Sequence, residues 1–320
     1  MPLDKPLLLA RLATARADLL WSVLGLDETT LVGRPVIDVW TAKDILAHVA
    51  AWEHWTAGRV RAMLTGHAMD MVGVEAETEN PRIYAERKDW PLCRVMVDLT
   101  NAHNSLLYEV DRADASALDL RFRAPWGNVR PAYSLRMSLE HDQEHTATIT
   151  AWRASASLAT HGTGPGCVLL PALVAARDEL LAWAALLPEG QRAAELVCGT
   201  WTLKDVLGHV ADWERFVVDA LADMAAGKLA GAGYGDDEEA WNQTHAAARQ
   251  DQPWQTIWDD FTTARHDLLA AVAGLDDTAL CRAVGTVWSR DDSPYDLIHT
   301  CVSHDRQHAE GLRKHISGAS

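Results

Sequence analysis

The chain predicts an all-α fold made of two tandem four-helix bundles, and three observations carry that prediction. Apolar residues recur at helical spacing, as in Leu7, Leu8, Leu12, Ala15, Leu19 and Val23, while the strict alternation of a half-buried strand is nearly absent. The stretch Trp40 to Glu53, WTAKDILAHVAAWE, returns at Trp201 to Glu214 as WTLKDVLGHVADWE, with ten of fourteen positions identical. His141-Asp142-Gln143-Glu144-His145 returns in the same way as His304-Asp305-Arg306-Gln307-His308. Within 320 residues, such a duplication sets two domains of ordinary size.

In the first half the apolar spacing predicts helices over 4–25, 41–65, 88–111 and 133–155. Thr41 with Asp44 three residues on has the form of a capping box, and Thr202 with Asp205 repeats it, so both aspartates are read as caps rather than catalysts. The second half repeats the pattern over 167–187, 202–227, 253–274 and 294–316. Helices two and three are joined by a long connection in each half, 66–87 and 228–252, which suits an overhand crossover. His161-Gly-Thr-Gly-Pro-Gly166 is rich in helix breakers where the repeat restarts, which sets the domains at 1–160 and 167–320.

A formal net charge of −16 argues against nucleic acid or an anionic membrane as a partner, because phosphate is bound by clustered Lys and Arg. No stretch approaches the roughly 18 apolar residues of a membrane span, and no secretory signal opens the chain, so a cytoplasmic location is expected. The five cysteines, Cys93, Cys167, Cys198, Cys281 and Cys301, form no C-x-x-C pair and are read as reduced thiols. Fourteen tryptophans stand against three phenylalanines, and several recur with the repeat: Trp21 with Trp183, Trp40 with Trp201, Trp52 with Trp213, Trp126 with Trp288.

The histidines carry the candidate chemistry. Residues four apart share a helix face, so His141 with His145, and His304 with His308, can aim two rings at one point. His48 and His209 supply a third imidazole in each half. Three neutral imidazoles with a vacant fourth position suit a catalytic divalent metal, where a water is acidified toward neutrality or yields to a substrate thiol or oxygen. Zinc is the default, with nickel, iron and copper also compatible, and up to one metal per domain is expected. The competing reading keeps the six as hydrogen-bonded core residues. His54, His67, His103, His161, His245, His266, His299 and His315 have no counterpart in the other copy and are taken as surface or incidental. Asp142 and Asp305 point about 100° away from the neighbouring ligand candidate and are read as supports for it or as helix surface.

Four tryptophans and two asparagines are candidate substrate contacts. Trp52 and Trp213 follow His48 and His209 by one turn and can line the same cavity. Trp126 and Trp288, on the loop before helix four, can cover its mouth. Asn80 and Asn242, at matching places in the crossover, can give a polar contact or close a turn. No residue is assigned as general acid or base.

The pattern W-T-x-K-D-x-L-x-H-x-x-x-W-E, followed far downstream by H-D-x-x-H, resembles the DinB/YfiT-like superfamily of four-helix metal-binding proteins, twice over and along nearly the whole chain. The resemblance implies tandem DinB-like bundles with metal held by His48, His141 and His145, and again by His209, His304 and His308. The helix-two motif and the crossover asparagines look closest to the ClbS/DfsB branch, which opens a strained cyclopropane of a genotoxic metabolite, although that branch's tyrosine-rich helix-four motif is missing here. Other relatives, bacillithiol transferases and mycothiol-dependent maleylpyruvate isomerase, activate a low-molecular-weight thiol. The expectation is therefore a metal-dependent hydrolase that opens a strained ring or related small electrophile with metal-bound water, in detoxification or self-resistance. The alternatives are a thiol S-transferase or isomerase with a small thiol as partner, and a protein that sequesters a drug without turnover. A monomer acting as a pseudo-dimer, or a homodimer, is expected.

Overall fold

The structure, a computed structural model, describes residues 4–158, 162–231 and 237–318. Chain contacts divide it into two units, Met1–Pro171 and Ala172–Ser320. That division falls at Pro171, inside a helix; of the glycine-rich run expected to separate the domains, His161 lies outside the described residues.

In the first unit α1 (Lys5–Val23) starts at Asp4, whose carboxylate accepts from the Leu7 amide. A short α2 (Glu28–Gly33) and a hairpin of β1 (Pro35–Ile37) and β2 (Trp40–Thr41) lead into α3 (Ala42–Leu64). There the Asp44 amide donates to Thr41 Oγ1 and the Thr41 amide to Asp44 Oδ2, so two N–H groups that the helix cannot pair find partners. Next come α4 (Ala76–Arg87), α5 (Leu92–Asp111), α6 (Ala115–Leu118), a hairpin of β3 (Phe122–Ala124) and β4 (Gly127–Val129), and α7 (Pro131–Ser155).

The second unit follows the same plan. α8 (Gly166–Ala184), the hairpin of β5 (Leu196–Cys198) and β6 (Trp201–Thr202), and α9 (Leu203–Ala225) are followed by α10 (Glu238–Arg249), α11 (Trp254–Ala273), α12 (Asp277–Leu280) and α13 (Pro294–Ser317). Thr202 and Asp205 repeat the capping box, and Ser293 with Asp296 adds one at α13. The turn of the β1–β2 hairpin puts Asp38 at φ 49°, and that of the β5–β6 hairpin puts Gly199 at φ 57°, the left-handed region that glycine enters without a Cβ clash.

The eight long helices expected from spacing are present, with ends shifted by a few residues. The two crossovers are not plain connections, since α4 packs on α3 and α10 on α9. α3 also packs against α5 and α7, and α1 against α7, around Leu8, Leu12, Val60, Met63, Leu106, Val110 and Leu135. In the second unit Phe261, Leu268, Ile298 and Leu312 are buried where α9 meets α11 and α13. Among the described residues the five cysteines form no disulfide, and Cys301 is buried. Among the described residues, no helix is long and apolar enough to cross a membrane.

Candidate metal centres

α3 and α7 pack so that His48 faces the His141 and His145 pair across the helix interface. His48 Nε2 and His145 Nε2 each lie 3.0 Å from His141 Nε2. In the second unit His209 Nε2 lies 2.8 Å and His308 Nε2 3.0 Å from His304 Nε2. In each set the candidate ligand atoms all lie within 4.8 Å of one another. Burial, reinforced by the neighbouring imidazoles, pushes His48, His141 and His304 down from 6.5 to about 3 and His209 to about 2. Burial also lowers His145 and His308, against the opposing pull of Glu144 and Asp305. The rings are therefore neutral, with lone pairs to offer. His48 Nδ1 is buried without a hydrogen-bond partner, so the ring makes its polar contacts through Nε2, the atom aimed at its two neighbours. Three convergent neutral imidazole nitrogens fit a divalent ion at about 2.0–2.1 Å from each.

Beneath each triad runs a buried ion network that spacing alone did not reveal. Arg16 donates through Nη2 to Glu53 Oε2 (2.7 Å), through Nε to Asp142 Oδ2 (3.0 Å) and through Nη1 to the Leu99 carbonyl (3.2 Å). His103 Nδ1 lies 2.8 Å from Glu53 Oε1. Arg177 repeats these contacts with Glu214 (2.8 Å) and Asp305 (3.0 Å). Arg265, at the place of His103, bridges the same two carboxylates. Burial acts to raise Glu53, but Arg16 and His103 overcome it and hold the carboxyl at about 2; burial prevails at Glu214, raised to about 7. Asp142 and Asp305 thus lie in the core, where they tie α7 to α1 and α13 to α8 and α11. His103, expected to be incidental, is buried in this network, and His245 stacks on Trp241 at 3.8 Å.

The first triad opens into a cavity of about 1040 Å³. Trp52, Trp126 and Asn80 line it together with Trp55, Arg59, Arg121, Arg130 and Glu144. Trp52 Nε1 donates to Asn80 Oδ1 at 2.9 Å, so Asn80, on α4 rather than in a turn, fixes the indole. Trp126 is 45% exposed at the hairpin tip. In the second unit Trp213 Nε1 donates to Asn242 Oδ1 at 3.2 Å, and its ring centroid is 6.3 Å from both His209 and His304. A contiguous run of rings follows: Trp213 to Trp241 at 4.7 Å, Trp241 to Phe216 at 6.4 Å, and Phe216 to Trp288 at 5.7 Å.

A sequence model of the DinB superfamily matches residues 11–149 and 172–311, one match over each triad. The chain belongs to the DinB superfamily. No curated protein and no solved structure matches it. The two copies in this DinB protein keep the histidines and the ion network but differ around them. Glu79 in the first becomes Trp241 in the second, Trp55 becomes Phe216 and Glu144 becomes Gln307.

Proposed function

We propose that this DinB protein is a metal-dependent enzyme that transforms a small reactive electrophile in the first unit, with hydrolysis of a strained ring or related bond as the preferred reaction and detoxification as its role. The observation that carries this is one cavity shared by three convergent imidazoles and the indoles of Trp52 and Trp126. His48, His141 and His145 would hold the ion, zinc by default, which when bound lowers the pKa of a coordinated water or thiol toward neutrality. The indoles exclude water and take the apolar body of the electrophile. Glu144, in the same wall, would accept the proton released as the nucleophile adds and return it to the ring atom set free when the strained bond breaks. Asp142, clamped by Arg16, fixes the turn of α7 that presents His141.

The test begins with elemental analysis of untagged protein. About two equivalents of one transition metal per chain are expected, with one lost in His48→Ala and one in His209→Ala. No metal, before or after reconstitution, removes the metalloenzyme reading. Incubation with an epoxide such as styrene oxide, followed by mass spectrometry, should then show addition of one water to give the diol. Conversion that requires an added thiol favours S-transfer, and tight binding without conversion favours sequestration.

A further inference from the structure

The first cavity carries positive charge that ring opening alone does not require. Arg59 from α3, Arg121 before β3 and Arg130 at the N-cap of α7 line it, and Glu144 is the one acidic residue facing them there. Among the described residues, no acidic side chain pairs with any of the three. The Arg59 guanidinium carbon is 4.3 Å from the Trp55 ring centroid and 4.8 Å from that of Trp126, and its Nε is buried without a hydrogen-bond partner. Phe122 pairs with Val129, so Arg121 and Arg130 stand opposite each other at the open end of the β3–β4 hairpin, with Trp126 at the closed end. Guanidiniums that line one cavity without a carboxylate partner repel one another, and Arg59 is also half-buried, an arrangement that a bound anion relieves. They belong to the first copy alone. Helix-by-helix matching puts Ala220, Ala283 and Ser293 at the three positions in the second.

We propose that the first unit's cavity selects molecules carrying a carboxylate, sulfonate or phosphate on an apolar, ring-sized body. This rests on the reading of that cavity as the substrate site. The anion accepts charge-assisted hydrogen bonds from Arg59, Arg121 and Arg130, and the body lies against Trp52 and Trp126. The second unit, without these cations, does not share the preference.

A matched pair of probes tests it: 1-anilinonaphthalene-8-sulfonate and N-phenyl-1-naphthylamine, the same aromatic body with and without the anion. Binding to the full chain is followed by fluorescence titration in chelator. The wild type is expected to prefer the sulfonate by about tenfold or more. In Arg121→Gln/Arg130→Gln the preference should fall below about threefold while the neutral probe still binds, and Arg59→Gln should reduce it as well. The exposed Arg94→Gln, which lies outside the cavity, should keep it. Equal affinities in the wild type, or an unchanged preference in the double variant, would overturn the proposal. If the double variant loses both probes, Arg121→Lys/Arg130→Lys decides: restored sulfonate preference supports the proposal, and continued loss overturns it. His141→Ala should retain the preference, so failure of the metal reading and failure of this one are separately visible.

Discussion

Replacing Arg16 with Met and, separately, Arg177 with Met removes the same buried guanidinium from two networks that differ at one position. Without Arg16, Asp142 loses its hydrogen-bonding cation and Glu53 keeps only His103. Stripping a buried carboxylate pair of its partner costs about 3–5 kcal/mol, and this site, with Arg16 3% exposed, belongs in that range. Without Arg177, Arg265 still contacts both Glu214 and Asp305, so the cost falls to about 1–3 kcal/mol. For units of this size one kcal/mol moves Tm by about 2–4 °C, which places the Arg16→Met shift near 10 °C and the Arg177→Met shift at about half that. Differential scanning calorimetry of the metal-free full chain at pH 7 reads both. The Arg16→Met deficit should shrink as pH falls toward 5, because Asp142, already raised by burial, takes up a proton once its cation is gone. An Arg177→Met loss equal to or greater than the Arg16→Met loss would show that Arg265 does not compensate, and the charge argument would fail.

Two further outcomes follow from the geometry. A Cβ at Gly208 would stand 2.8 Å from Arg249 Cδ, but the first copy packs Arg87 beside Ala47 at the matching place, so Gly208→Ala should change stability by no more than about 1 kcal/mol in urea unfolding, and a loss above about 2 kcal/mol would contradict it. In metal-free protein the four most shifted histidines stay neutral down to about pH 2–3 when folded but protonate near 6.5 when unfolded. Their depressed pKa values therefore give stability that is complete above about pH 6.5 and drains away as pH falls toward 3, readable as a declining urea midpoint; a midpoint flat over that window would refute it.

The long helices were legible because their apolar faces repeat, and the triads because both copies write them at the same spacing. α4 escaped notice since it buries Ile83 alone among its twelve residues and holds Pro81 internally, leaving no apolar stripe to detect. The hairpins, of two or three residues a strand, are too short to show alternation. Arg16 is one of four charged residues in α1, with Lys5, Arg11 and Asp18, and reads as a solvated charge until its partners, distant in sequence, are brought around it. A signal was nevertheless present: Arg16 and Arg177, Glu53 and Glu214, Asp142 and Asp305 recur together, and repetition marks a buried charge as readily as a ligand. The arginines lining the cavity left no such trace, because they occur in one copy only.

The β3–β4 hairpin brings Arg121, Trp126 and Arg130 to the cavity from a run of ten consecutive residues. The strand pairing closes within the run itself and its tip is exposed, while Ala124 anchors it in the core and the Arg130 carbonyl opens α7. With Ala124 and the α7 start kept, the segment is fit to serve as a cassette. Recombination or loop grafting can exchange it as a block, altering which molecules are admitted while the histidines and the charges beneath them are inherited intact.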